Sequence, residues 1–306
     1  MIIDNNLNFS IIIPTYNSEF YIRDTIQSVV NQTYNNYEII ISDDGSHDNT
    51  IELVNDILNQ YSWIKVKILT GKHQGPGAAR NKGIMNANYD WISFLDSDDE
   101  WFPNKLDEVS KYILHNENTD LVAHNILEIY EGKKFYNECH KKHDSEVDLF
   151  LSLFRQNSLM TSAVTVKLDY LKKVDLFDPS LLTAQDYDLW LKLAKLPGFN
   201  IGFIDKPLSN YLVRDDSVSN KINTWLNCRL RIGNKHYNYL KNNCNHALKE
   251  KLRYDGDVYA SVGVRLLRND NITIGIWYIL KGLIIYPFRM DKLYVLKRLI
   301  IKYLKC

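Results

Sequence analysis

The chain has 306 residues, enough for one α/β core of ordinary size plus a smaller appendage. Lys and Arg total 37 and so do Asp and Glu, so the formal charge is zero and no overall basic field points to a nucleic-acid partner. Cys139, Cys228, Cys244 and Cys306 include no CxxC pair, which argues against a structural zinc site and fits reduced thiols in a cytoplasmic protein.

The predicted elements run in a regular order. Residues 9–13 form a short β-rich apolar run ended by Pro14. Residues 18–32 carry apolar side chains at 22, 26, 29 and 30, which is helical spacing. Residues 37–42 read as a second strand, Glu38 excepted. Asp48, Asn49 and Thr50 can cap a second helix with Ile51, Val54, Ile57 and Leu58 on its apolar face. Residues 64–69 look like a third strand, Pro76 or Gly77 starts a third helix, and residues 91–95 make a fourth strand. This βαβαβαβ order predicts a mostly parallel sheet with helices on both faces. Ligands then belong at the C-terminal ends of the strands.

The middle of the chain is less regular. Residues 121–130 hold a strand, and residues 132–144, rich in Lys, His and Glu, read as a mobile loop. Residues 147–154 look helical and 162–167 strand-like. Residues 186–196 form an amphipathic helix stopped by Pro197 and Gly198. From Ile222 the pattern is helical almost to the end. A boundary near residue 220 therefore separates an α/β domain, 1–220, from a helical region, 221–306.

Polar motifs fall just after the predicted strands. Asp43, Asp44, Gly45 and Ser46 follow the second, and Gly45 suits a tight turn that brings backbone N–H groups near a ligand. Gly75, Pro76 and Gly77 lead into a helix carrying Arg80 and Asn81, a close approach beside a fixed positive charge. Neither is a phosphate loop, for no Gly-Lys-Ser or Gly-Lys-Thr occurs. Asp96, Ser97, Asp98 and Asp99 follow the fourth strand. Three carboxylates in four residues repel one another, and a cation or hydrogen-bond donors must offset that.

Taken in order, Ile12 to Asn17, Asp43 to Thr50, Ala79 to Gly83 and Asp96 to Asp99 resemble the family 2 glycosyltransferases of the GT-A fold, over residues 8–220. The resemblance implies an inverting, divalent-metal-dependent transfer of a hexose or N-acetylhexosamine from a UDP-sugar to a saccharide hydroxyl, in bacterial O-antigen, capsule or lipooligosaccharide synthesis. It implies a nucleotide-sugar site of Pro14, Thr15, Tyr16, Asn17, Asp43, Asp44, Gly45, Gly77, Arg80, Asp96, Ser97 and Asp98. Thr15 and Asp43 take the uridine, Arg80 organises the nucleotide pocket, and Asp96 lies near the ribose. Asp98 is the ligand for Mn²⁺ or Mg²⁺. Asp186, in the segment Gln185 to Trp190, matches the general base. Gln185 stands where the family often has Glu, and Asp99 and Trp101 fall at the acceptor side or support it. Arg214 takes the place of a His near the diphosphate, where it either pairs with phosphate or sits on the surface. A non-catalytic sugar-binding module and a nucleotidyltransferase are the competing classes. The second lacks its glycine-rich basic N-terminal loop.

Residues 290–304 alternate broad apolar and basic faces, and residues 281–306 contain seven Lys or Arg against one acid. Such a helix suits an anionic membrane surface or a second subunit, as in a homodimer. Nowhere do 18 uncharged apolar residues run together, and the N-terminus lacks a signal peptide's basic lead. A cytoplasmic chain, peripheral on the inner face of the membrane and acting on a lipid-linked saccharide, is the expectation.

Overall fold

The computed structural model describes residues 7–213 and 221–288, so the expectations for Arg214 and for the helix at 290–304 lie outside the described residues. The chain divides into two compact units, Met1–Asp215 and Asp216–Cys306.

The first unit opens with β1 (Phe9–Thr15), α1 (Ile22–Val30), β2 (Tyr37–Asp43), α2 (Thr50–Leu58), β3 (Lys65–Thr70), α3 (Pro76–Met85) and β4 (Trp91–Phe94). The four strands are parallel, in the order β3-β2-β1-β4. It continues with β5 (Glu100–Trp101), α4 (Lys105–His115), β6 (Leu121–Tyr130), β7 (Lys133–Asn137), α5 (Leu149–Arg155), β8 (Val164–Lys167), α6 (Leu168–Lys173), α7 (Gln185–Leu193) and β9 (Ile201–Leu212). These extend the sheet as β4-β8-β6-β9-β5, with β7 on β6. β8 runs antiparallel to β4 and β6, while β9 runs parallel to β6. The result is the expected α/β fold, a mostly parallel sheet flanked by helices.

Why this sheet has two covered faces follows from β1. Phe9, Ile11 and Ile13 join α1, α2 and α4 in one core cluster with Ile26, Val54 and Val109. Ile12 points the other way, where a Cβ on Gly83 of α3 would meet its Cγ2 at 2.6 Å. A strand flanked on both faces reads as continuous apolar sequence rather than alternation. Glu38, the exception in β2, is buried but accepts hydrogen bonds from Ser10 Oγ and from the backbone and side chain of Asn88.

Pro14 does not end β1, which runs on to Thr15 beside Asp43. Ile12 directs its carbonyl at Leu95 N, so Pro14, two residues on, faces the same side. β4 has already ended there at Phe94, so the N–H that proline lacks would have had no strand to meet.

The loop predicted at 132–144 is a correction. Residues 133–137 form β7, hairpinned onto β6 through a turn with Glu131 at φ 48° and Gly132 at φ 72°. β7 is an edge strand exposed along most of its length, so its polar sequence carries no apolar alternation. α4, β5 and β9 also lie outside the sequence reading. The inner face of α4 includes the polar Lys105 and Ser110, and β9 carries Asp205, Lys206 and Pro207 where its pairing with β6 shifts register.

The second unit holds α8 (Ile222–Asn243), α9 (Ala247–Arg268) and α10 (Ile272–Ile285). Among the described residues, no helix is long and apolar enough to cross a membrane.

Candidate functional site

The motifs of residues 12–17, 43–50, 75–81 and 96–99 lie at or just after the C-terminal ends of β1 to β4, and the loops lock one another in place. After β2, Asp43 accepts from Thr15 Oγ1, from the backbone N–H groups of Gly45 and Ser46, and from Ser46 Oγ. Its two oxygens each carry two bonds, so its capacity is spent on shaping its own loop. Gly45 sits at φ 81°, and a Cβ there would come within 2.8 Å of the Gly71 carbonyl oxygen. Asp44 reaches the next loop, accepting from Gln74 N and Gly75 N and lying 2.8 Å from His73 Nδ1.

The β1 loop turns through Asn17, whose φ is 49°. Its N–H donates to Ser46 Oγ and its side-chain oxygen accepts from His47 N. Tyr16 is left exposed, stacked on His73 with ring centroids 4.1 Å apart. The pair gives the pocket rim a flat aromatic wall, with Asp44 behind it. Ser18 Oγ lies 2.8 Å from Ser97 Oγ, which ties this loop to the acidic one.

Arg80, buried on α3, places Nη2 2.5 Å from Asp96 Oδ1. This pairing answers part of the repulsion within residues 96–99. A second part is answered by the short 3₁₀ turn Thr161–Ala163. Ser162 Oγ accepts from Asp96 N and donates to Asp99 Oδ2, while its carbonyl accepts from Trp101 Nε1. Asp99 also accepts from Leu212 N. Burial, then the neighbouring Asp98 and Asp96, push the Asp99 carboxyl well above the usual carboxylate range, against those hydrogen bonds. Asp98 is half-buried.

The same turn holds Asp186, whose Oδ2 accepts from Thr161 Oγ1 at 3.3 Å. Asp186 lies in the first turn of α7, after Ala184 at φ 56°, where helix N–H groups favour a carboxylate. Tyr211 of β9 completes the cluster. Burial, then the carboxylates of Asp99, Asp98, Asp96 and Asp186, hold its hydroxyl above its ordinary range. One tyrosine thus feels both acidic motifs, about ninety residues apart in sequence.

The structure therefore brings together Thr15, Asn17, Asp43, Gly45, Ser97, Asp99 and the paired Arg80 and Asp96. Pro14 lies within β1. Gln185 is buried, its Cγ in contact range of a Cβ built on Gly77 of α3, so it packs two helices together. Trp101 is 3% exposed with Lys105 Nζ 3.8 Å above its ring, so it supports the site from beneath and offers no face to a sugar. Thr161, Ser162 and Ser18 escaped the sequence reading, and the site role of His73 went unassigned there. Their roles depend on which loops meet, and nothing in their spacing marks them.

Among the described residues, no three His, Cys, Asp or Glu side chains form a ready metal cage. The oxygen-only donor set around Asp98 nonetheless fits Mg²⁺ or Mn²⁺, which one or two carboxylates hold together with substrate phosphates.

Known proteins place this chain. The sequence profile of the family described as "Glycosyl transferase family 2" matches residues 10–168. The chain is 31% identical over 219 residues to the putative teichuronic acid biosynthesis glycosyltransferase TuaG of Bacillus subtilis, covering 71% of this chain and 82% of that one. It is 33% identical over 220 residues to the Escherichia coli UDP-Glc:alpha-D-GlcNAc-diphosphoundecaprenol beta-1,3-glucosyltransferase WfgD, covering 69% and 79%. It covers less than two thirds of several other curated relatives, among them 42% of an uncharacterized glycosyltransferase of Haemophilus influenzae. In fold it is similar to S. aureus TarS 1-349 in complex with UDP-GlcNAc, with TM-score 0.63 at 17% identity over 93% of this chain and 92% of that one. With the profile spanning more than half its length, the chain belongs to glycosyl transferase family 2.

Proposed function

We propose that this chain transfers a hexose or N-acetylhexosamine from a UDP-sugar to a hydroxyl of a saccharide acceptor, with inversion, in bacterial surface polysaccharide synthesis. The observation that carries the reading is the Thr161–Ser162 link, which sets Asp186 beside the Asp96–Asp99 loop. A transferase needs a base and a diphosphate site side by side; a sugar-binding module needs neither. The relatives named for teichuronic acid and diphosphoundecaprenol-linked acceptors support a lipid-linked saccharide as the second substrate.

Tyr16 and His73 provide the face for a uracil ring, and Asp44, with two backbone hydrogen bonds and the His73 contact made, keeps acceptor capacity toward it. Asp43 and Thr15 hold that pocket's shape. Arg80 fixes Asp96 for the ribose. Asp98 would hold Mn²⁺ or Mg²⁺ together with the donor diphosphate, and the chemistry that ion supplies is neutralisation of charge on the leaving phosphate. Asp186 takes the proton of the acceptor hydroxyl as its oxygen bonds to the anomeric carbon and the bond from that carbon to the phosphate oxygen breaks. Thr161 keeps the Asp186 carboxylate turned toward that hydroxyl. UDP leaves, and the new linkage lies on the opposite face of the sugar.

The test is UDP release. UDP-, GDP- and dTDP-sugars are incubated with the chain and Mn²⁺, with and without membrane lipid extract. UDP formed from a UDP-sugar and raised by the extract is expected. Nucleotide binding with no turnover under any condition, or pyrophosphate release from a parallel incubation with a nucleoside triphosphate and a sugar 1-phosphate, overturns the reading.

A further inference from the structure

Three strands carry one row of side chains up to the acidic end of the sheet. Glu128 of β6 stands opposite Phe135 of β7 on one side and Tyr211 of β9 on the other. Residues paired across strands point to the same face, so Phe135, Glu128 and Tyr211 form a single row. Asn137, two residues after Phe135 and on the same face, donates from Nδ2 to Glu128 Oε1. β5 pairs Glu100 with Asn210, and just beyond that pair Leu212 N donates to Asp99 Oδ1. The row therefore ends at the acidic loop, where Tyr211 feels the carboxylates of Asp99, Asp98, Asp96 and Asp186.

The far end of the row is open. Phe135 is 50% exposed on the face that leads to the site. Neighbouring strands lie about 4.8 Å apart, which puts Phe135 about 10 Å from Tyr211, within one disaccharide of the acidic loop. An aromatic ring takes the C–H face of a pyranose, and a carboxylate accepts from its hydroxyls. Phe135 offers the first. Glu128 beside it is half-buried and, with the Asn137 bond made, keeps acceptor capacity for the second. Tyr136, next in sequence and 47% exposed, lies on the opposite face, its hydroxyl accepting from Asn125 Nδ2. Lys133 and Lys134 charge the exposed edge strand and oppose the addition of a strand from another chain.

We infer that this row seats the second sugar of an oligosaccharide acceptor: Phe135 stacks on that ring and Glu128 accepts from its hydroxyls, while the first sugar presents its hydroxyl to Asp186. Charge selects this occupant. The Glu128 carboxylate would repel a lipid diphosphate placed beside it, whereas a neutral sugar meets it with hydroxyl donors. Lys133 of the same face stands a row farther out. The acceptor is therefore longer than one sugar. The inference rests on the transfer reading above and narrows its second substrate.

UDP release tests it, with the full chain, a UDP-sugar, Mn²⁺ and membrane lipid extract fractionated by the number of sugars its lipids carry. Fractions with two or more sugars should raise the release. Phe135→Ala should increase the half-saturating amount of such a fraction about five- to tenfold and leave the UDP-sugar KM within about twofold. Phe135→Leu keeps bulk without the flat ring and should do the same, whereas Phe135→Tyr should restore wild-type saturation. Tyr136→Ala removes a similarly exposed ring from the other face of the same strand and should leave the half-saturating amount where it was. Four results overturn the inference and leave the transfer reading standing: release that no fraction raises, stimulation confined to one-sugar lipids, unmoved saturation in both Phe135→Ala and Phe135→Leu, or an equal increase in Tyr136→Ala. No UDP release by the wild type with any fraction overturns that reading itself, and the inference with it.

Discussion

The two units of this chain both bury apolar side chains but differ in what lines their tightest contacts. In the α/β unit, Ile11, Ile13, Ile26 and Val54 are fully buried, and Asp43, Asp44 and residues 96–99 lie at or just after the C-terminal ends of β2 and β4. In the helical unit, glycines line the α9–α10 seam and Trp277 and Ile284 face outward. The first pattern is what water imposes on a chain that must hold carboxylates at fixed positions. The second costs nothing only where the outward face meets something apolar. The difference teaches that apolar content alone says little; the direction in which the bulky side chains point tells what each unit is built to meet.

The comparison can be broken first at the acidic end of the sheet. Asp186→Asn should lower turnover by about 10²–10⁴-fold while UDP binding stays within about twofold, measured by UDP release and by titration calorimetry. Loss of both together would mean that the acidic end is structural. Core truncation comes next and separates the units. Ile11→Ala should cost about 2–5 kcal/mol by denaturant unfolding, whereas Ile284→Ala should stay within about 0.5 kcal/mol. Equal costs would erase the contrast drawn here.

Ser162→Ala sharpens the same comparison with a smaller effect. It leaves Asp99 and the Asp96 N–H without their shared partner, and a shifted acidic loop should lower turnover by about 10- to 100-fold with the fold retained. A pH slope, small over any one unit, comes last. His124 is buried, and burial first, then Lys105, push its pKa down to about 3 against the Asn125 backbone bond. The folded chain keeps it neutral, while the unfolded chain binds a proton below about pH 6.5. Stability should therefore fall as pH drops from about 6.5 toward 3, by up to about 1.4 kcal/mol per unit from this group. His124→Gln should flatten that window in unfolding curves taken at several pH values; an unchanged slope would assign the acid sensitivity to other groups.

Much of the α/β unit was legible because its signals are local. The β1-to-β4 alternation follows from apolar runs and helical spacing, and Gly45 and Gly75, at φ 81° and 95°, mark turns where a side chain would be strained. β7 was not legible, since an edge strand in water needs no apolar face. β9 was not, because Asp205, Lys206 and Pro207 interrupt its pattern where the register with β6 shifts. The roles of Gln185 and Trp101 could not be read either. Whether such a side chain faces the cleft or the core depends on which helix or loop covers it, and both turned out to be buried.

By itself the sequence determined the order of elements and the places where carboxylates must gather, because periodicity and turn chemistry act between near neighbours. Only the tertiary structure decided that Thr161 and Ser162 join two acidic motifs and that α10 turns its glycines onto α9. Those outcomes depend on which surfaces meet across long stretches of chain, where the spacing of residues carries no information.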